Sequence, residues 1–150
     1  TLAISHLTPE QVDSDWERAW VKQRNMLVSH CCRADAASDV HAGWFKKALT
    51  AGVKMALGSD IRPLKDAGLL EMGLWVKDGA STWQTLLAAT KHAAQVCAVG
   101  DDLGTVEQGK LADLIVVGAN PLDDINNVRK LQLVLKEGVV VSDKRAAIKD

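Results

Sequence analysis

From Gly52 to Asp60 the chain reads Gly-Val-Lys-Met-Ala-Leu-Gly-Ser-Asp. Val53 and Met55 to Leu57 are apolar, the run is too short for a helix, and Gly58, Ser59 and Asp60 close it. That pattern predicts a buried parallel strand with a carboxylate at its carboxyl end. In α/β architectures ligands and chemistry gather at the carboxyl ends of parallel strands, because helices cover the flanks and leave only the loops open. Asp60 is therefore the leading candidate for chemistry. The alternative is structural, with Asp60 capping a turn or the following helix.

With 150 residues, 47% of them hydrophobic, the chain is one ordinary domain or a piece of a larger one, with enough apolar material for a core. The net charge of -1, with acids and bases interspersed, gives no field that attracts nucleic acid or an anionic membrane. No apolar run approaches the roughly 20 residues needed to cross a bilayer. No signal-peptide pattern opens the sequence, so the expected compartment is the cytoplasm. Cys31, Cys32 and Cys97 are odd in number, and two are adjacent, which disfavours a disulfide framework and fits reduced thiols. His30, Cys31, Cys32 and His41 match none of the structural zinc spacings.

Thr1 to Ser5 is a short β-compatible run, read as the end of a strand that begins outside the chain. Thr8-Pro9-Glu10-Gln11 is a capping-box helix start, and Val12, Trp16, Ala19, Trp20, Gln23 and Leu27 continue it as one stripe. Ser29 to Ser38 reads as a loop. Ser38 opens a second helix with Val40, Trp44, Phe45, Ala48 and Leu49 inward and Gly52 as its left-handed stop. After Asp60 and Pro63, a helix is predicted from about Asp66 to Lys77, stopping at Gly79. Ser81-Thr82-Trp83-Gln84 starts another, rich in alanine, that runs to Val96. Beyond Gly100 the pattern turns to short β runs: Leu114 to Val117, then Leu131 to Leu135, then Val139 to Val141 after a Glu137-Gly138 turn. Asp123 to Asn127 reads as a turn or a single helical turn, and the tail from Ser142 is polar.

Four blocks carry a resemblance to a known family: Ala51 to Asp60; Leu87-Ala88-Ala89-Thr90 with Ala93-Ala94; Leu103 to Val117, which contains Gly104-Thr105-Val106-Glu107-Gln108-Gly109-Lys110-Leu111-Ala112-Asp113-Leu114; and Asn120 to Ile125 with Val134 to Gly138. In these blocks the chain resembles the carboxyl-terminal part of the amidohydrolase superfamily. These are metal-dependent (β/α)8-barrel hydrolases with imidazolonepropionase-like and Xaa-Pro-dipeptidase-like members. The resemblance covers roughly residues 45–141, and the third block is its most specific part.

The fold implied is α/β: the carboxyl-terminal fragment of a (β/α)8 TIM barrel, its last two strands and helices, over residues 1–100, followed by part of a small β-sandwich domain over residues 101–150. By the same resemblance Asp60 is both metal ligand and catalytic residue, the carboxylate that handles the proton of a metal-bound water. The cofactor is a divalent metal, with zinc the family-level expectation. Lys110 and Asp113 become structural turn and strand residues, where the chain passes from barrel to a sandwich built from both ends of the polypeptide. Glu71 resembles a glutamate that often opens the helix after the last barrel strand and faces the site. Ile61 to Leu70 lacks the histidine and asparagine often found there in relatives, so no substrate contact is assigned to it.

The family's His-x-His pair, its lysine and its further histidines would lie before residue 1, and His6, His30, His41 and His92 do not replace them, since no two are separated by one residue. The implied function is the carboxyl-terminal portion of a hydrolase acting on C–N bonds of an amide, cyclic amide or dipeptide, inactive as this segment alone. Its implied partners are that small-molecule substrate, and a second copy or the rest of the enzyme against the open barrel and sandwich surfaces. The alternative is a non-catalytic truncated α/β module used for assembly or small-molecule binding. A cysteine-based enzyme using Cys31 or Cys32 with His30 lacks the strand-turn-helix context of a nucleophile.

Overall fold

The computed structural model describes residues 3–5, 27–30, 38–58 and 64–145. The predicted first helix with Trp16 and Trp20, the Cys31-Cys32 pair and Asp60 lie outside the described residues.

Strands β1 (Ala3–Ser5), β2 (Leu27–His30) and β3 (Lys54–Leu57) form one sheet in that order. Both pairings are parallel, with Ile4 beside Val28 and Val28 beside Met55. The sequence reading counted two parallel strands and placed Leu27 at the end of a helical stripe, followed by a loop from Ser29. Among the described residues the parallel strands number three, which corrects that reading. A four-residue strand between two others takes its stability from both neighbours, so its own residues carry little periodic signal.

Helix α1 (Ser38–Ala51) enters β3 through a tight stop. Gly52 takes φ +68°, and the bonds Gly52 N–H to Leu49 O (3.0 Å) and Val53 N–H to Ala48 O (3.1 Å) close the last turn in a Schellman arrangement. Phe45 and Ala48 of α1, Met55 of β3, Trp75 of α2 (Leu64–Lys77), Ala80 and Ala88 make the buried core, with Leu49, Val53, Leu57 and Leu74 packed on it. Phe45 and Trp75 meet edge to face, centroids 4.9 Å apart, a geometry that contributes about 0.5–1.5 kcal/mol beyond its buried area.

Ser81 caps α3 (Thr82–Leu87) through the predicted box: its hydroxyl accepts from Gln84 N–H, and the Gln84 side chain accepts from Ser81 N–H. The helix runs through a π turn (Ala88–His92) into α4 (Ala93–Val96), with helical backbone at both junctions. Strands β4 (Leu114–Val117), β5 (Leu131–Lys136) and β6 (Val139–Asp143) then form a separate antiparallel sheet in chain order, with a 3-10 turn (Ile125–Arg129) before β5. The β5–β6 hairpin turns at Glu137 and Gly138, both at positive φ, as a two-residue loop requires.

Candidate functional site

β3 is the element that delivers the candidate carboxylate, and its backbone is held on several sides. Met55 and Ala56 are buried, and β2 pairs along the length of β3. His92 reaches the strand from the π turn: its Nδ1 lies 2.9 Å from Met55 O, so the ring must carry a proton on Nδ1 to donate there. The sequence reading noted His92 only as a histidine that does not complete a metal site. A polar ring on an otherwise alanine-rich apolar helix was the available signal. Gly58 directly follows the strand, and Asp60 comes two residues later, outside the described set.

Glu71 sits in the interior of α2, well past its first turn at Leu64, and is 1% exposed. It is thus a core carboxyl group rather than one at a helix opening.

The Leu103–Val117 block is a clasp. Lys110, with its side chain 15% exposed, donates from Nζ to Gly100 O and to Thr105 Oγ1, each at 2.7 Å. Gly104 presses onto the π turn: a Cβ there would stand 2.6 Å from Ala94 Cβ and 2.9 Å from Thr90 O. Asp113 grips the hairpin, accepting from Lys136 Nζ and from Glu137 N–H, each at 2.7 Å. The Lys136 hydrogen bond, aided by the Glu137 N–H, holds the Asp113 carboxyl below the usual carboxylate range, and the same contact raises Lys136. Lys110 and Asp113 are accordingly structural, in line with the sequence reading.

In the fourth block, Asn120 accepts from Leu122 N–H at 3.0 Å and its main-chain oxygen accepts from Asn127 Nδ2 at 2.8 Å. Asp124 caps the 3-10 turn through Asn126 N–H at 2.9 Å, a bond that lowers its pKa. Between α3–α4 and β4 runs an open groove of about 650 Å³, with Trp83, Leu86, Ala94, Val106, Leu111 and Leu114 among its lining residues.

Among the described residues no group of three or more His, Cys, Asp or Glu side chains is placed to hold a metal ion. They do not by themselves fit the metal that the resemblance implies.

The sequence matches the amidohydrolase family model over residues 3–141. The chain belongs to the amidohydrolase family. It is 29% identical over 126 residues to the 5-methylthioadenosine/S-adenosylhomocysteine deaminase of Moorella thermoacetica, covering 75% of this chain and 27% of that protein. It is 33% identical over 110 residues to the imidazolonepropionase of Thermoplasma volcanium, covering 67% of this chain and 26% of that protein. The amidohydrolase chain thus spans about a quarter of the length of these curated relatives. Among solved structures, molinate hydrolase superposes with a TM-score of 0.80 at 22% identity, over 94% of this chain and 42% of the other. A Xaa-Pro dipeptidase with bound methionine superposes with a TM-score of 0.71 at 25% identity, over 93% and 39%. The fold is that of a mixed α/β portion of an amidohydrolase, with a small antiparallel three-stranded sheet at its carboxyl-terminal side.

Proposed function

We propose that this chain is the carboxyl-terminal portion of a metal-dependent amidohydrolase that cleaves a C–N bond of an amide, cyclic amide or dipeptide. The observation that carries the reading is the parallel strand β3, leading through Gly58 and Ser59 to Asp60 inside a segment matched to the family along nearly its whole length. Relatives named as a deaminase, an imidazolonepropionase and a Xaa-Pro dipeptidase support the bond class. On this reading residues 1–100 are barrel, with β1, β2 and β3 as its final staves, and residues 101–150 belong to the small sandwich.

A divalent metal, zinc by family expectation, would supply an activated water when bound. The part assigned to this chain is the Asp60 carboxylate, which would ligate the metal and accept a proton. The other ligands would come from elsewhere in the polypeptide. The rest of the protein would also cover the apolar surfaces left open here: the groove beside β4, and Val139, Val140 and Val141 of β6, exposed by 65%, 52% and 59%.

The test uses the product of the whole reading frame. Its metal content and its turnover on a panel of amides, cyclic amides and dipeptides are measured beside those of an Asp60→Asn variant. A loss of about a hundredfold or more in kcat is expected. Unchanged turnover in the variant would remove Asp60 from the site.

A further inference from the structure

We propose that His92 is a positioning residue for the end of β3, locked with its proton on Nδ1 by the π turn that carries it. This deepens, and rests on, the reading that the carboxyl end of β3 delivers the reactive carboxylate.

Three observations join. β3 is the last strand of its sheet among the described residues, so β2 steadies only one of its edges. His92 adds a bond to the same short strand from another element, 2.9 Å to Met55 O, its partner lying 37 positions away in sequence. His92 is itself the last residue of a stretch wound as a π turn, a local departure from regular helix that concentrates at functional positions.

The π turn is itself braced. Thr90 Oγ1 donates to Leu86 O at 2.7 Å, and Gly104 lies close enough that a Cβ would come within 3.2 Å of Lys91 Cα. Gly104, the π turn, His92 and Met55 therefore form one mechanical series. It connects the most specific motif of the sequence to the strand from which Gly58 leads toward Asp60. Strand ends are where backbone pairs open first, and a single additional bond there shifts the local opening equilibrium directly.

The role is separable from packing by chemistry. Asn places its Nδ2 the same number of bonds from Cβ as His Nδ1, so His92→Asn keeps a donor for Met55 O. His92→Leu fills similar space without one. In the unmodified chain, nitrogen NMR of the ring is expected to find Nδ1 protonated; an unprotonated Nδ1 would overturn the proposal without any variant.

Amide exchange at Ala56, Leu57 and Gly58 is expected to quicken about tenfold in His92→Leu, as loss of one net hydrogen bond implies, and to return to within about threefold in His92→Asn. In the product of the whole reading frame, kcat is expected to follow the same order, with KM little changed. Equal exchange in the Leu and Asn variants would sink the proposal. If Asp60→Asn left turnover intact while the exchange pattern held, the site assignment would fall and the anchoring of β3 by His92 would stand.

Discussion

Lys136 Nζ lies 2.7 Å from Asp113 Oδ2, and the neighbouring Asp113 Oδ1 accepts from Glu137 N–H at the same distance, so one carboxylate holds both a side chain and the turn backbone of the β5–β6 hairpin. Because Asp113 directly precedes β4, the bond pair fixes the register of that strand against the hairpin it pairs with. A second carboxylate does similar work at the far end of β6, where Arg145 holds Asp143 at a pKa of about 2 against an ordinary 3.8.

Both carboxyls are depressed in the folded chain, so the unfolded chain takes up protons first as acid is added. The stability they lend is present in full above the ordinary carboxyl value and drains as pH falls through their lowered folded-state values, for Asp143 from about 3.8 toward 2. Denaturant midpoints followed down through this window are expected to fall more steeply for the natural chain than for an Asp113→Asn, Asp143→Asn double variant. Because both pairs are solvent-exposed, added salt should flatten the difference.

Gly104→Ala is expected to be among the most damaging single-methyl additions to this chain. Its Cβ would meet Ala94 Cβ at 2.6 Å and Thr90 O at 2.9 Å, in a backbone at φ +90°. Left-handed strain of about 1–2 kcal/mol and overpacking of about 1–3 kcal/mol combine to roughly 3 kcal/mol. Gly109 has the same φ of +90° with nothing within 4 Å, so Gly109→Ala isolates the strain alone. Urea unfolding of the two variants should differ by the overpacking part, and equal losses would show that the contact with the π turn relaxes freely.

Local chemistry was readable because each signal is complete within a few residues. The Ser81–Gln84 box, the stop at Gly52 and the Glu137–Gly138 hairpin all depend on neighbours along the chain. β2 was missed because Leu27 extends an apolar helical stripe and Ser29 reads as the start of a loop, and only the flanking strands decide that these residues pair instead. For His92 the sequence offered only a polar ring on an apolar helix, and its partner Met55 lies 37 positions away, so the bond is seen only in the fold. Lys110 and Asp113 look like a charged pair in sequence, yet each spends its charge on a different partner, Lys110 on a carbonyl and a hydroxyl, Asp113 on a hairpin. At the candidate site the sequence identified the strand that leads toward Asp60, which itself lies outside the described residues, whereas the His92–Met55 bond came from the fold.

Ala98→Gly is expected to stabilise the chain. Ala98 sits at φ +59°, and the bonds Ala98 N–H to Gln95 O (3.2 Å) and Val99 N–H to Ala94 O (2.9 Å) close α4 as glycine closes α1 at Gly52. An alanine there carries left-handed strain of about 1–2 kcal/mol, from which the greater freedom of glycine in the unfolded chain subtracts up to about 1 kcal/mol. A gain of about 0.5–1 kcal/mol should appear as a higher Tm in calorimetry, and a loss would mean that the Ala98 methyl makes a contact outweighing the strain.

Lys110 offers the sharpest separation of bonding from charge. Its Nζ donates to Gly100 O and Thr105 Oγ1, while Glu107, at 3.9 Å, is a distant and exposed counterion. Lys110→Met keeps most of the stem packing and removes both donors, with an expected cost of about 1–3 kcal/mol. Glu107→Gln should cost less than about 0.5 kcal/mol, since an exposed pair at that distance contributes little. Thr105→Val removes one acceptor and leaves Lys110 its carbonyl, so its cost should fall between the two. Combining Thr105→Val with Lys110→Met should then cost less than the sum of the single changes, because the bond they share is lost only once. Strict additivity in that cycle, measured by urea unfolding, would show that the Lys110–Thr105 bond contributes nothing and that the cost of Lys110→Met comes from its other bond, to Gly100 O.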